Sequence, residues 1–115
     1  MESRDKRVLE RIVMFCDRIA GNLERYHSSR EEFERDTLFQ DACCMCVVQI
    51  GELAAQLSET VRGENPQVPW RIIKDTRNFY VHSYGSVDTD SVWTTLTEDI
   101  PVLRESCALI LASER

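Results

Sequence analysis

The sequence predicts an all-α fold, a compact antiparallel bundle of four to five helices formed by one domain over residues 1–115. Three observations carry this. Apolar residues recur at spacings of three and four along most of the chain, the 3.6-residue period of helices with one buried side. No segment alternates apolar and polar residues as a half-buried strand does. Three Pro and four Gly in 115 residues are too few for the many turns of a β-sandwich or barrel. A chain of this length buries roughly two-thirds of its unfolded surface, enough to fold without disulfide or metal.

The first helix is marked by Val8, Ile12, Phe15, Ile19, Leu23 and Tyr26, with Arg and Glu between them. Tyr26-His27-Ser28-Ser29 breaks it. Ser29 followed by Glu32 has capping-box spacing and starts a short helix that carries Phe33 inward. Asp36 caps the next and longest helix, whose expected stripe is Leu38, Ala42, Met45, Gln49, Leu53, Leu57 and Val61. Its lining of Ala42, Cys43, Cys46, Gly51, Ala54 and Ala55 is small and lets a neighbour approach closely, so this helix is expected at the centre. Arg62-Gly63-Glu64-Asn65-Pro66 ends it, with Gly63 as a left-handed cap.

Val68-Pro69-Trp70 starts a further helix, since Pro is tolerated in the first turn. Trp70, Ile73 and Phe79 or Tyr80 are its inward residues, and Gly85 and Ser86 punctuate its end. A last helix starts near Asp88 or Asp90 and runs through Trp93, Leu96, Ile100, Leu103, Cys107 and Ile110. Pro101 lies within it and should kink or break it near Asp99.

Composition narrows the function. The opening Met1-Glu2-Ser3-Arg4-Asp5-Lys6 shows no signal peptide. The apolar stretch Ala42–Leu57, interrupted by Gln49, Glu52 and Gln56, reads as too short and too polar to span a bilayer. Five cysteines, four of them inside helical apolar patterns, suit a reduced, cytoplasmic protein. Cys43-Cys44-Met45-Cys46 has a CxxC spacing, but a zinc site needs two further ligands and only His27 and His82 supplement the cysteines. These thiols read as small core hydrophobes, and no cofactor or metal is expected.

One segment gathers chemistry: Arg77-Asn78-Phe79-Tyr80-Val81-His82-Ser83-Tyr84. On a helix, Arg77 and Tyr84 share one face, and Asn78 and His82 an adjacent one. His is the commonest acid/base side chain near neutral pH. Net charge is −6 and pI about 4.9, which argues against a protein that grips nucleic acid by overall charge. Charge distribution qualifies this. Residues 70–84 hold Arg71, Lys74 and Arg77 against Asp75, a net +2, leaving −8 on the rest. Arg71, Lys74 and Arg77 form a slowly rotating basic stripe, the pattern of a localised phosphate site.

These residues resemble the HepT-like proteins of the HEPN superfamily, whose signature of Arg, four residues, His, one residue, Tyr reads here Arg77-(x4)-His82-x-Tyr84. Asn78 after the Arg, Ile50-Gly51-Glu52, Pro69-Trp70, and Trp93 followed by Asp99-Ile100-Pro101-Val102-Leu103 extend the likeness across nearly the whole chain. The resemblance implies a homodimer whose two motifs line one cleft. It implies a toxin that is a metal-independent ribonuclease, paired with an MntA-like nucleotidyltransferase antitoxin that AMPylates the motif tyrosine. Arg77 and His82 become the catalytic pair, Asn78 and Tyr84 supporting residues, and Tyr84 the AMP acceptor; the basic stripe, for its part, supplies Arg71 and Lys74 as contacts to RNA phosphate. The alternative is a catalytically inert helical subunit that only binds a nucleotidyltransferase.

Overall fold

Helix α1 (Ser3–Arg25) buries Val8, Leu9, Ile12, Phe15, Cys16 and Ile19 on one side, the stripe expected from the sequence. The protein is described from a computed structural model, which covers residues 1–83 and 88–114 and gives the course of the backbone alone for 77–83. Expectations for Tyr84, Gly85 and Ser86 therefore lie outside the described residues, as do those for the side chains of Arg77, Asn78, Phe79, Tyr80 and His82. At the end of α1, His27 and Ser28 take left-handed backbone angles (φ 57° and 49°). Residues with a Cβ adopt these at a cost of about 1–2 kcal/mol each, which marks a sharp reversal.

Helix α2 (Arg30–Arg35) is capped by Ser29, whose Oγ accepts from the Glu32 N–H, and it buries Phe33 fully. Asp36 then caps α3 (Thr37–Gln56), accepting from the N–H groups of Leu38 and Phe39. Both caps fall where the sequence puts them.

The expected stripe holds at Leu53, Leu57 and Val61, and Cys43, Cys46, Gly51 and Ala54 of the small lining are buried too, but the first half of α3 presents another face. Leu38 and Met45 are 70% and 59% exposed, while Phe39, Cys43, Cys46, Val47, Ile50, Leu53 and Ala54 are buried. Asp41, Glu52 and Gln56 share a side of α3 with Leu38 and Met45 and turn that side to solvent. An aromatic cluster fixes the opposite face. Phe39 stacks on Tyr26 (centroids 4.1 Å) and meets Phe33 edge-on at 5.1 Å, and Trp93 closes on both rings. Turning Leu38 inward would lose these ring contacts, worth about 0.5–1.5 kcal/mol each beyond burial.

The helix also ends earlier than expected. It stops at Gln56, Leu57 is extended, and Ser58 caps a separate α4 (Glu59–Glu64) by accepting from the Val61 N–H. Gly63 lies inside α4 and caps nothing. The end of α4 is closed by Asn65, whose Nδ2 donates to the Val61 carbonyl at 2.9 Å. The break is fixed from a distance: buried Asp5 of α1 accepts from Ser58 N–H at 2.9 Å and from Ser58 Oγ at 2.7 Å. A carboxylate 53 residues away is not legible from local pattern.

Helix α5 (Trp70–Ser83) follows, then α6 (Thr89–Thr94), capped by Asp88. A wide π turn (Thr95–Asp99) joins α6 to α7 (Ile100–Ala112). Pro101 has no N–H for the Thr97 carbonyl, so the single last helix is interrupted where the proline predicts. The breaks at Ser58 and at the π turn turn the expected four to five helices into seven α-helical segments among the described residues.

The long elements run antiparallel. Asp5 at the start of α1 meets Ser58 beyond the end of α3, while Tyr26 after α1 stacks on Phe39 near the start of α3. Arg104 of α7 pairs with Asp17 of α1 at 3.0 Å, and the Met1 ammonium meets Glu114 at 3.1 Å. Arg30 ion-pairs with Asp90, tying α2 to α6. By length and composition α3 is apolar enough to span a bilayer, contrary to the shorter stretch taken from the sequence; half of that window is buried inside the bundle.

Candidate active site

Helix α5 carries the signature, and its N-terminal end is firmly seated. Trp70 is buried, and its indole N–H donates to the Asn65 carbonyl at 3.1 Å. The same Asn65 holds the end of α4, so α4 and α5 are locked through one residue. Ile73 N–H donates to the Pro69 carbonyl, the first turn that Pro69 leaves open. Ile73 is half-buried against the core and Thr76 Oγ1 donates back to the Ile73 carbonyl at 2.6 Å.

The backbone is helical through Arg77, Asn78 and His82. At about 100° per residue, the positions of Arg77 and His82 stand about 140° apart around the axis. The position of Arg77 falls within about 20° of that of Trp70, on the side turned to the bundle. That of His82 lies in line with Arg71 and Asn78, on the side where Arg71 is exposed. The basic stripe therefore drifts: each three-residue step from Arg71 to Lys74 to Arg77 turns about 60° toward the core side.

Two grooves flank α5. One, of about 480 Å³, is lined by Ala54, Glu59, Arg62, Trp70, Arg71 and Lys74. It brings together the two predicted phosphate contacts, Arg71 and Lys74, and adds Arg62, which sequence reasoning passes over as part of an ordinary helix end. Arg62 Nε donates to the Ser58 carbonyl at 3.4 Å, across one turn of α4. The signal that could have found it is Ser58 followed by an apolar Val61, a helix-start pattern hidden inside the apparent long helix. The other groove, of about 410 Å³, lies between α3, α5 and α7, with walls of Val47, Ile50, Val68, Ile72, Val102 and Leu103. Ile72 and Val102 stand at its rim, 68% and 66% exposed.

The cysteines lie away from both grooves. All five are buried. Burial pushes the thiols of Cys16, Cys43 and Cys107 up to about 12 and raises that of Cys46. These four are neutral thiols packed as hydrophobes, not nucleophiles. Among the described residues no three His, Cys, Asp or Glu side chains gather as metal ligands.

An antiparallel helical bundle with Arg and His five residues apart on a helix seated beside a basic groove is the architecture of a HEPN-like protein. The model of the family "Ribonuclease HepT-like" matches residues 15–110. A protein of Thermococcus cleftensis named "Probable ribonuclease HepT" is 31% identical over 83 residues, covering 64% of this chain and 76% of that protein. A protein of Caldanaerobacter subterraneus subsp. tengcongensis, assigned by name as an RNase, is 30% identical over 107 residues, 93% of this chain and 94% of its own. One from Methanocaldococcus jannaschii, similarly assigned, is 25% identical over 79 residues, 69% of this chain and 72% of its own. No solved structure matches the chain. The chain belongs to the HepT-like ribonuclease family.

Proposed function

We propose that the chain is the toxin subunit of a prokaryotic toxin–antitoxin pair, a cytoplasmic, metal-independent endoribonuclease whose single HepT-like HEPN domain spans residues 1–115. Two protomers form one cleft, in which Arg77 and His82 are the catalytic residues and Asn78 supports them. Family membership supplies the activity class. The observation that carries the two-protomer site is the helical register of α5, in which Arg77 and His82 occupy positions about 140° apart.

The chemistry needs three roles. A base takes the proton of the 2′-OH, and the freed oxygen attacks the adjacent phosphorus. A cation stabilises the charge that builds on the phosphorane, the part a guanidinium plays well. An acid protonates the departing 5′-oxygen as its bond to phosphorus breaks, leaving a 2′,3′-cyclic phosphate and a 5′-hydroxyl. One His82 cannot serve as base and acid in the same step, whereas two protomers bring two. The apolar groove rimmed by Ile72 and Val102 supports a second copy as its occupant, since water-exposed aliphatic side chains on the motif helix gain from being covered.

The partner is an MntA-like nucleotidyltransferase antitoxin. It inhibits by transferring AMP from ATP to the phenol oxygen of Tyr84, with release of pyrophosphate. The added negative charge beside the cleft repels RNA as a phosphoryl group does.

The test is cleavage by the purified chain. RNA is expected to be cut equally with and without EDTA, and His82→Ala should lower the rate by about 10²–10⁴-fold and abolish growth arrest. A wild-type chain that is harmless and cleaves no RNA identifies the inert binding subunit instead and overturns the proposal.

A further inference from the structure

The groove between α4 and α5 lies outside the chemistry of Arg77 and His82, yet it concentrates charge in an acidic protein. Arg62, Arg71 and Lys74 line it against Glu59 alone, a net +2, over a floor of Ala54 and buried Trp70. Three arginines elsewhere are held by carboxylates, Arg30 by Glu34 and Asp90, Arg35 by Glu32, and Arg104 by Asp17, while Arg4, Arg7 and Arg11 stand singly along exposed α1; what sets the groove apart is that its three cations converge. Among the described residues none of the three groove cations is in an ion pair. Three cations left to repel one another in one groove are suited to an anion that joins them.

The groove also has a fixed relation to the motif. Arg71 and His82 are separated by about 16 Å along α5, at 1.5 Å per residue, and by only about 20° around it. A strand leaving the groove along this line meets Asp75, which is exposed, before it reaches the positions of Asn78 and His82. Asp75 makes the path uneven, attractive at the groove and repulsive one turn later. This favours a discrete anchoring point over a continuous basic track.

We propose that Arg62, Arg71 and Lys74 form a phosphate subsite that holds the backbone of single-stranded RNA several nucleotides from the bond cut at His82. The subsite rests on the ribonuclease reading above and extends it to substrate length: a strand that reaches the groove is cut better than one that does not. Locking of α4 to α5 through Asn65, and of α4 to α1 through Asp5 and Ser58, keeps Arg62 opposite Arg71 and Lys74 without the ligand.

The experiment compares kcat/KM for a dinucleotide containing only the scissile phosphate with that for a long single-stranded oligonucleotide, at several salt concentrations. Wild type is expected to favour the long RNA. Arg62→Ala should cut that preference about tenfold, the loss expected for one charge-assisted contact. It should also reduce the slope of log affinity against log salt by about 0.7, one single-strand phosphate. Arg62→Lys, which keeps the charge, should retain the slope and controls for folding. Arg35→Ala, which removes a cation from α2, should keep both the preference and the slope. If Arg62→Ala preserves length preference and salt slope while cleavage still depends on His82, the subsite is wrong. If neither RNA is cut in a His82-dependent way, the ribonuclease reading itself fails and the subsite goes with it.

Discussion

The two flanks of α5 differ in kind. Toward α4 the helix shares a groove with Arg62, Arg71, Lys74 and Glu59; toward α7 it shares one with Val68, Ile72, Val102 and Leu103. Both are open, both are walled in part by α3, and they are of similar size. Neighbouring residues, Arg71 and Ile72, serve opposite sides because successive positions on a helix turn by about 100°. A helix of 14 residues can thus offer charge to a polyanion and hydrocarbon to a protein surface without compromising either. Net charge of −6 averages this away. The proposed dimer and the proposed RNA subsite are the two uses of that division, and each can be broken without touching the other.

The largest effect is expected on the apolar flank. Ile72→Glu combined with Val102→Glu places two carboxylates where the second protomer should sit. Two side chains worth about 1.5–3 kcal/mol each when buried predict dimerisation weakened by roughly 10²–10⁴-fold. Sedimentation should show monomer at concentrations where wild type is dimeric, and cleavage should fall with it. A variant that stays dimeric moves the interface elsewhere.

A smaller effect should loosen the charged flank alone. Asp5→Ala removes the acceptor for Ser58 N–H and Oγ, leaving a backbone donor at the start of α4 without its partner. A loss of about 1–3 kcal/mol is expected in urea unfolding, together with weaker RNA binding through a displaced Arg62. Unchanged stability would mean that the break at Ser58 is held by its own cap.

The mildest perturbation acts on the core, away from both grooves. Cys43 of α3, with Cys16 and Cys107, keeps its proton to about 12 in the folded state against an ordinary 9.0. The unfolded chain releases those protons first. Stability is therefore full below about 9 and declines as pH rises from 9 toward 12. Urea midpoints at neutral and alkaline pH should fall in that direction. Replacing Cys43 with Ala should shrink the decline.

Local pattern was enough for much of this fold. The caps at Ser29 and Asp36 and the interruption before Pro101 follow from side-chain acceptors and a missing N–H, which are properties of a few adjacent residues, and of the two acids offered for the last helix Asp88 is the cap. The face of α3 was partly legible: Asp41 and Glu52 stand on the side of Leu38 and Met45 and mark it as solvent-facing, whereas the rings of Tyr26, Phe33 and Trp93 that hold Phe39 inward come from other elements. The break at Ser58, fixed by Asp5 from the far end of α1, was not legible, and with it Arg62 was missed. For the candidate site, sequence was sufficient to place Arg71 and Lys74 in one stripe, and the structure sets them in one groove. The positions of Arg77 and His82 on opposing sides follow from their spacing once the helix is continuous.

A cleft that needs two protomers is tested most directly by mixing. Wild-type chain and His82→Ala chain are combined at constant total concentration, allowed to exchange subunits, and assayed for RNA cleavage. If both His82 side chains serve one cleft, activity follows the square of the wild-type fraction, about a quarter of full activity in an equal mixture of freely pairing subunits. Activity that falls in simple proportion, to about a half, would show that each protomer cuts alone and would contradict the account.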